Sequence, residues 1–300
     1  MDISNASLVY NNALFQTQVL GDLFGAQKST TSAAGSDDIF SSLLSQQRGK
    51  NKPQTALDSL LNPSKDVSGV SSTGRNLSLF NPESAYNLVS FINSREVLYK
   101  AQFLELSLIK SGVAQLQVAG AGLGEISSNT APAGVQGLLQ NFVGQYNHWR
   151  ESFNADVETG GLLDNVQAAE ISLDELEQSV SNRFFGASAG VQGLRDLGIS
   201  IDPQTHVATL DQQQLATILS TNPQGAVSAI HEFSRNFAKS AALLNSDNNF
   251  IPNQLNNLSR AIHYIGDNIA ELKQEFGTGD AARPTGKVAQ ALAAYNQIYA

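Results

Sequence analysis

Apolar residues recur in helical steps over most of the chain after residue 82, and the most regular run lies near its end. Leu255, Leu258, Ile262, Ile265, Ile269, Leu272 and Phe276 alternate in steps of three and four. This is the a/d pattern of a helix that packs along a partner helix. Asn256, Asn257, Arg260, Asp267, Glu271 and Lys273 lie between them and suit water. Burying seven such side chains would contribute on the order of 10 kcal/mol. A lone helix of this length is marginal in water, so the stripe predicts a partner, either another part of this chain or another copy.

Earlier stretches read in the same way. A long helix is expected to start near Pro82, with Glu83 in its first turn. Val89, Ile92, Tyr99, Phe103, Leu106, Ile109, Val113 and Leu116 form its stripe, and Gly120-Ala121-Gly122-Leu123-Gly124 stops it. Leu139, Phe142, Tyr146, Trp149 and Phe153 share one face of a second helix, which Gly160-Gly161 ends. Ser172 with Glu175 three residues on has the form of a capping box, followed by the stripe Leu173, Leu176, Val180 and Phe184. Leu197 to Ile201 alternates like a strand, Asp202-Pro203-Gln204-Thr205 is a turn, and Val207, Thr209 and Leu210 return as the second strand of a hairpin. Asp211 caps a short helix through Leu219. Asn222-Pro223 starts another, with Val227, Ile230, Phe237, Ala241 and Leu244 at steps compatible with the heptad. After a break at Ser246–Pro252 comes the heptad helix, then an Ala/Tyr-rich tail helix.

Composition changes before residue 82. Residues 1–24 are weakly amphipathic, with Leu8, Leu14, Phe15, Val19, Leu20, Leu23 and Phe24 among Asn and Gln. From Ala26 to Asn81, Ser, Thr, Gly, Asn, Lys and Pro dominate, which predicts a disordered linker. Ile39–Leu44 and Leu57–Leu61 are short apolar exceptions. The expected organisation is an export or docking segment at 1–25, a linker at 26–81 and a long helix at 82–130. A helix-rich domain with the hairpin follows at 131–250, then the heptad helix at 251–276 and a tail at 277–300. The fold class is mainly α: an elongated helical bundle or coiled coil with one small β-hairpin.

Charge narrows the choice of partners. The 300 residues carry a formal net charge of -9 with 18 Lys+Arg and no basic cluster, so neither nucleic acid nor an anionic membrane is an expected partner. The absence of cysteine excludes disulfides, thiolate nucleophiles and Cys-ligated metal. The start, MDISNASLVY, lacks the form of a Sec signal peptide, and no apolar run is long enough for a membrane span.

Candidate chemistry is sparse. His148, His206, His231 and His263 have no partner at metal-ligand spacing and read as solvated. His231-Glu232 begins like a zinc-protease motif, but Arg235 stands where the second His belongs. Asp174, Glu175 and Glu177 read as a solvated helix start. With no nucleophile elbow and no phosphate loop, neither an enzyme nor a cofactor is expected. Gly134-Val135-Gln136-Gly137-Leu138 recurs as Gly190-Val191-Gln192-Gly193-Leu194, a match too short for a repeat architecture.

Several pieces in order resemble one family. They are Phe142-Val143-Gly144-Gln145-Tyr146-Asn147, Gly160-Gly161-Leu162-Leu163, Leu197-Gly198-Ile199-Ser200-Ile201-Asp202, Ala208-Thr209-Leu210-Asp211 with Leu215, Asn222-Pro223 with Val227, and the heptad helix. Together, from Phe142 to Phe276, they resemble the C-terminal part of the bacterial flagellar filament-cap family, hook-associated protein 2. The resemblance implies an exported axial protein of the flagellum, leaving by the flagellar type III channel on an uncleaved N-terminal segment. It implies a homo-oligomer, or packing against axial proteins such as flagellin and the hook-junction proteins. Two departures stand out: the family carries β-rich outer domains before this part, and it ends in a long terminal helix. Here the upstream chain has no strand-rich stretch, and Gly277 and Pro284 interrupt the end. The rival reading is a cytoplasmic helical adaptor or regulator that binds a secretion or motility partner.

Overall fold

The computed structural model describes residues 69–183 and 190–299. The expected segment 1–25, the linker up to residue 68 and Phe184 lie outside the described residues.

The central element is α1, Pro82–Gly122. At 41 residues it spans about 60 Å. Asn81 caps it by accepting from Ser84 N at 3.1 Å, and Pro82 occupies the first turn, where a missing N–H costs nothing. A 3-10 turn, Leu123–Glu125, continues it. Within the expected stop, Gly120 is buried inside the helix. A Cβ there would sit 2.4 Å from Phe237 Cδ1, so this glycine admits a ring and the stop falls at Gly122.

Then come α2, Pro132–Val157, and α3, Gln167–Ser181. The capping box expected at Ser172 is not formed. Ser172 is fully buried in mid-helix and its Oγ donates to Ala168 O. Ala168 and Ala169, strong helix formers on the buried face, let α3 start six residues earlier, with Val166 at the N-cap.

The hairpin is shorter than expected. Strands β1, Ile199–Ile201, and β2, Ala208–Leu210, pair antiparallel with Ser200 opposite Thr209. Leu197 ends a 3-10 turn, and Gly198 at φ 90° breaks the run before β1. Val207 lies outside the ladder, its carbonyl accepting from Asp202 N at 3.0 Å. The repeated pentapeptide supports chance recurrence: its first copy is helical in α2, and its second is irregular until the turn at Leu194.

Helix α4, Gln212–Thr221, is capped by Asp211, which accepts from Gln213 N and Gln214 N at 2.9 Å each. Helix α5, Pro223–Leu244, is capped by Asn222. Helix α6, Phe250–Phe276, carries the heptad stripe, and α7, Gly286–Tyr299, completes the chain's helices among the described residues.

Helices α5 and α6 run end to end along α1, antiparallel to it. Ser234 Oγ donates to Ala121 O, and Asn245 Nδ2 donates to Lys110 O at 3.0 Å. Farther along, Asn76 and Asn93 near the start of α1 bond backbone at Glu275 and Asp280, where α6 ends. One main core joins α1, α2, α3, the hairpin, α5 and the first half of α6. Its centre is an aromatic triad in which Phe142 meets Phe233 and Phe237 edge-on, at 5.2 and 5.1 Å between centroids. The described residues therefore belong to one unit, and the boundaries expected near 130 and 250 do not separate domains.

The expected linker also ends earlier than residue 81. Residues 69–81 form a hydrogen-bonded clasp: Leu77 N donates to Gly69 O, and the buried Asn76 takes Ser78 N on its Oδ1. Polar composition misled here because the segment is ordered by backbone bonds to distant residues instead of by apolar burial.

Candidate interaction surface

The seven heptad residues divide into two sets. Leu255, Leu258, Ile262 and Leu272 are buried within the chain, so α1 is a partner of this helix. Ile265, Ile269 and Phe276 are half-buried. Ile265 touches the edge of the main core, which on α1 reaches only to Tyr99. Beyond that level α1 and α6 continue as an arm, sealed by Tyr86, Val89, Ile92 and Leu272. Leu88, Phe91 and Val97 on α1 stay half-buried there, as do Ile269 and Phe276 on α6.

The clasp fixes the end of the arm. Asn76 Nδ2 donates to Glu275 O at 2.8 Å, and Thr278 N donates to Gly74 O at 2.8 Å. Arg75 stacks 4.3 Å from the Tyr86 ring centroid and forms a two-armed ion pair with Glu83. The Arg75 guanidinium holds the Glu83 carboxyl below the usual range. Tyr86 OH donates to Asp280 Oδ1 at 2.8 Å, and that bond raises the phenol. Gly277, at φ 102°, lies against the Gly74 carbonyl, where any Cβ would collide. Two large apolar side chains, Leu77 and the fully exposed Phe80, project from this end.

Two polar clusters escaped the reading of the sequence. In the first, buried Arg150 on α2 lies 3.5 Å from Glu177 on α3, and Glu177 meets His206 Nδ1 at 2.8 Å. Glu177 therefore faces a buried cation, unlike its exposed neighbours Asp174 and Glu175, and its place as a solvated helix-start acid is corrected. His206 is corrected too: at φ 58° it closes the hairpin turn. His231 is half-buried and bonds Ile126 O, whereas His148 and His263 are exposed as expected. Beside this cluster Asn147 holds β2 on both sides. Its Nδ2 donates to Ala208 O at 2.8 Å, and its Oδ1 accepts from Ala208 N at 2.7 Å.

The second cluster joins α1, α2 and α7. Glu105 and Asp156 are buried, with side chains 9% and 2% exposed, and Lys287 of α7 reaches both. It is ion-paired to Asp156 and lies 3.9 Å from Glu105 Oε2. Burial pushes the Glu105 carboxyl up, Lys287 opposes that and Asp156 adds to it. A signal was present: Glu105 interrupts an otherwise apolar face formed by Ala101, Leu104 and Leu108.

A shallow polar cleft of about 580 Å³ lies beside the hairpin, lined by Arg183, Arg195, Asp196, Ser200, Asp211 and Gln214 among others. Its carboxylates are committed to the fold, Asp211 capping α4 and Asp196 accepting from Gln192 N at 2.7 Å. Among the described residues no three His, Asp or Glu converge as metal ligands, and no helix is long and apolar enough to cross a membrane.

No family model matches this chain, and neither a curated protein nor a solved structure matches it.

Proposed function

We propose that this chain is a structural or assembly component of the bacterial flagellum, related in kind to the filament-cap proteins. It acts by packing helices against copies of itself or against axial partners. The observation that carries the reading is the α1–α6 arm. Its seam is closed inside the chain, yet Leu88, Phe91, Ile269 and Phe276 stay half open on its flanks, and Phe80 projects from its tip. A two-helix arm with apolar flanks gains most by joining other helices, because each half-exposed side chain still has apolar area to bury. The ordered pieces from Phe142 to the heptad helix supply the flagellar part of the proposal.

The test is detection of the protein in culture supernatant and sheared appendages. It is run in wild-type cells and in cells lacking the flagellar export apparatus. The proposal expects secretion in the first and none in the second. Secretion that persists without the apparatus overturns it. Strict cytoplasmic retention overturns it as well, and moves the assignment to a cytoplasmic adaptor.

A further inference from the structure

One edge of helix α7 carries its main contacts to the fold, with Val288 and Ala294 packed beside that edge. Lys287, Ala291, Tyr295 and Tyr299 are spaced by four, so they line a single edge of the helix. Each has its own contact. Lys287 enters the acid pair Glu105–Asp156. Ala291 is the only residue of α7 that is buried, against Ala101 and Leu104 of α1 and Leu162. Tyr295 and Tyr299 meet Phe103 edge-on at 5.9 and 5.5 Å. Ile298 and the rest of the outer face stand in solvent.

The seat of α7 is a small cluster of its own. Ala101, Leu104, Leu162 and Ala291 form a cluster of their own, and Tyr295 is the α7 side chain that also packs on the main core. The tether also permits movement. Asp280 is pinned by Tyr86, Asn93 and Ser90. From Ala281 to Pro284 no backbone hydrogen bond is formed among the described residues, and the segment has no regular structure. Extended, residues 281–285 reach about 17 Å.

Charge selects the occupant of the seat. Two buried carboxylates face one ammonium, and a vacant seat would leave both without a counter-charge. An incoming helix must therefore bring a cation one turn before a small residue and two turns before an aromatic one. The chain supplies that helix itself.

We propose that α7 is an exchangeable latch, and that its seat on α1 accepts the α7 of a second copy of this chain. The contacts made in trans are the same as those made in cis. The two states thus differ only in the path of the tether and in the entropy of association. The latch is distinct from the arm seam and does not depend on it.

The lack of cysteine makes a direct experiment possible. Leu98 and Ala294 flank the same small cluster, one on α1 and one on α7. Full-length Leu98→Cys and Ala294→Cys variants are mixed and treated with a short bis-maleimide. Leu98→Cys mixed with Asn256→Cys, a position exposed on α6, gives the collision background. The double variant in one chain gives the cis cross-link. A covalent heterodimer about tenfold above background, corresponding to a preference near 1.4 kcal/mol, is expected. Its yield should increase when only the Leu98→Cys copy carries Lys287→Gln, because its own α7 then loses the acid pair while the incoming α7 still brings its ammonium. A heterodimer yield equal to the background overturns the proposal. So does hydrogen exchange in which α7 amides open only together with those of α5, since a latch must open by itself. Heterodimers that persist in the Ile269→Asp background separate this result from the arm seam, and their loss there overturns the latch as an independent device.

Discussion

Asn93 on α1 donates its side-chain amide to the carbonyl of Asp280 at 2.8 Å, across 187 residues of sequence. It also donates to Thr278 O at 3.3 Å, and the side chain is almost fully buried. One amide thus holds the turn that leaves α6 against the first third of α1. Asn93→Ala should strand both carbonyls and cost about 1–3 kcal/mol. Urea unfolding measures the loss, and hydrogen exchange should show residues 277–285 loosening first. Unchanged stability would mean that these bonds are replaced by water at no cost.

The two halves of the heptad stripe should respond differently to charge. Ile262 is buried, so Ile262→Asp places a carboxylate in the core and should cost more than about 3 kcal/mol. Ile269 is half open, so Ile269→Asp should cost less than about 1 kcal/mol while abolishing any self-association through the arm. Melting temperature and sedimentation together separate the effects. Equal melting losses in the two variants would contradict the burial difference.

Gly112 faces the single tryptophan. A Cβ at this position would lie 2.2 Å from Trp149 Cδ1, so Gly112→Ala must push the indole or bend α1. The expected cost is about 1–3 kcal/mol, with a shift in the Trp149 emission maximum. Because the chain contains one Trp, that shift reports this contact alone. An unshifted spectrum at full stability would show that the close approach is not real.

Asn147→Ala should free β2 from α2. Both polar groups of Ala208 lose their partner, at about 1–3 kcal/mol. Asn147→Gln should not rescue, since one extra methylene moves the amide past its mark. Amide exchange across residues 199–210 is the readout, and protection equal to the native protein's would refute the pinning.

The pH response of Glu105 has a definite sign. Burial raises its carboxyl in the folded protein above the value in the unfolded chain. Between those two values the unfolded chain gives up the proton first, so stability falls as pH rises through that window. Below it both states are protonated and the penalty vanishes. Glu105→Gln should therefore stabilise the protein at neutral pH and change nothing in acid below the ordinary Glu range. Chemical denaturation at both pH values decides the matter. A loss of stability at neutral pH would show that the carboxylate is more useful to Lys287 than costly to bury.

Helix periodicity made most of the elements legible. Pro82, Asp211 and Asn222-Pro223 mark true helix starts because each carries its own local chemistry, a fixed φ or a capping oxygen. Ser172 failed because a capping motif is only permissive, and two preceding alanines extend the helix through it. The clasp at 69–81 was invisible for a different reason. Its order comes from bonds to Glu275 and Thr278, about two hundred residues away, which no local window samples. The same holds for Lys287, whose carboxylate partners sit on two other helices. The heptad stripe announced a partner helix correctly but could not say which, since α1 and a second copy satisfy the same pattern.

The gap between α5 and α6 has a mechanical consequence. Opposite α1, which is unbroken for 41 residues, the chain is interrupted at Ser246–Asn249, where Asn248 sits at φ 66°. Asn245, bonded to Lys110 O, splices the joint to the continuous helix, and Leu244 and Ile251 on either side of it are buried in the main core. Under a bending load α1 acts as the spring and the α5–α6 line as a jointed strut. Flexing that opens the joint strains this bond and the packing of Leu244 and Ile251, and flexing that closes it jams two helix ends together. A helix pair built in this way yields in one direction and stiffens in the other.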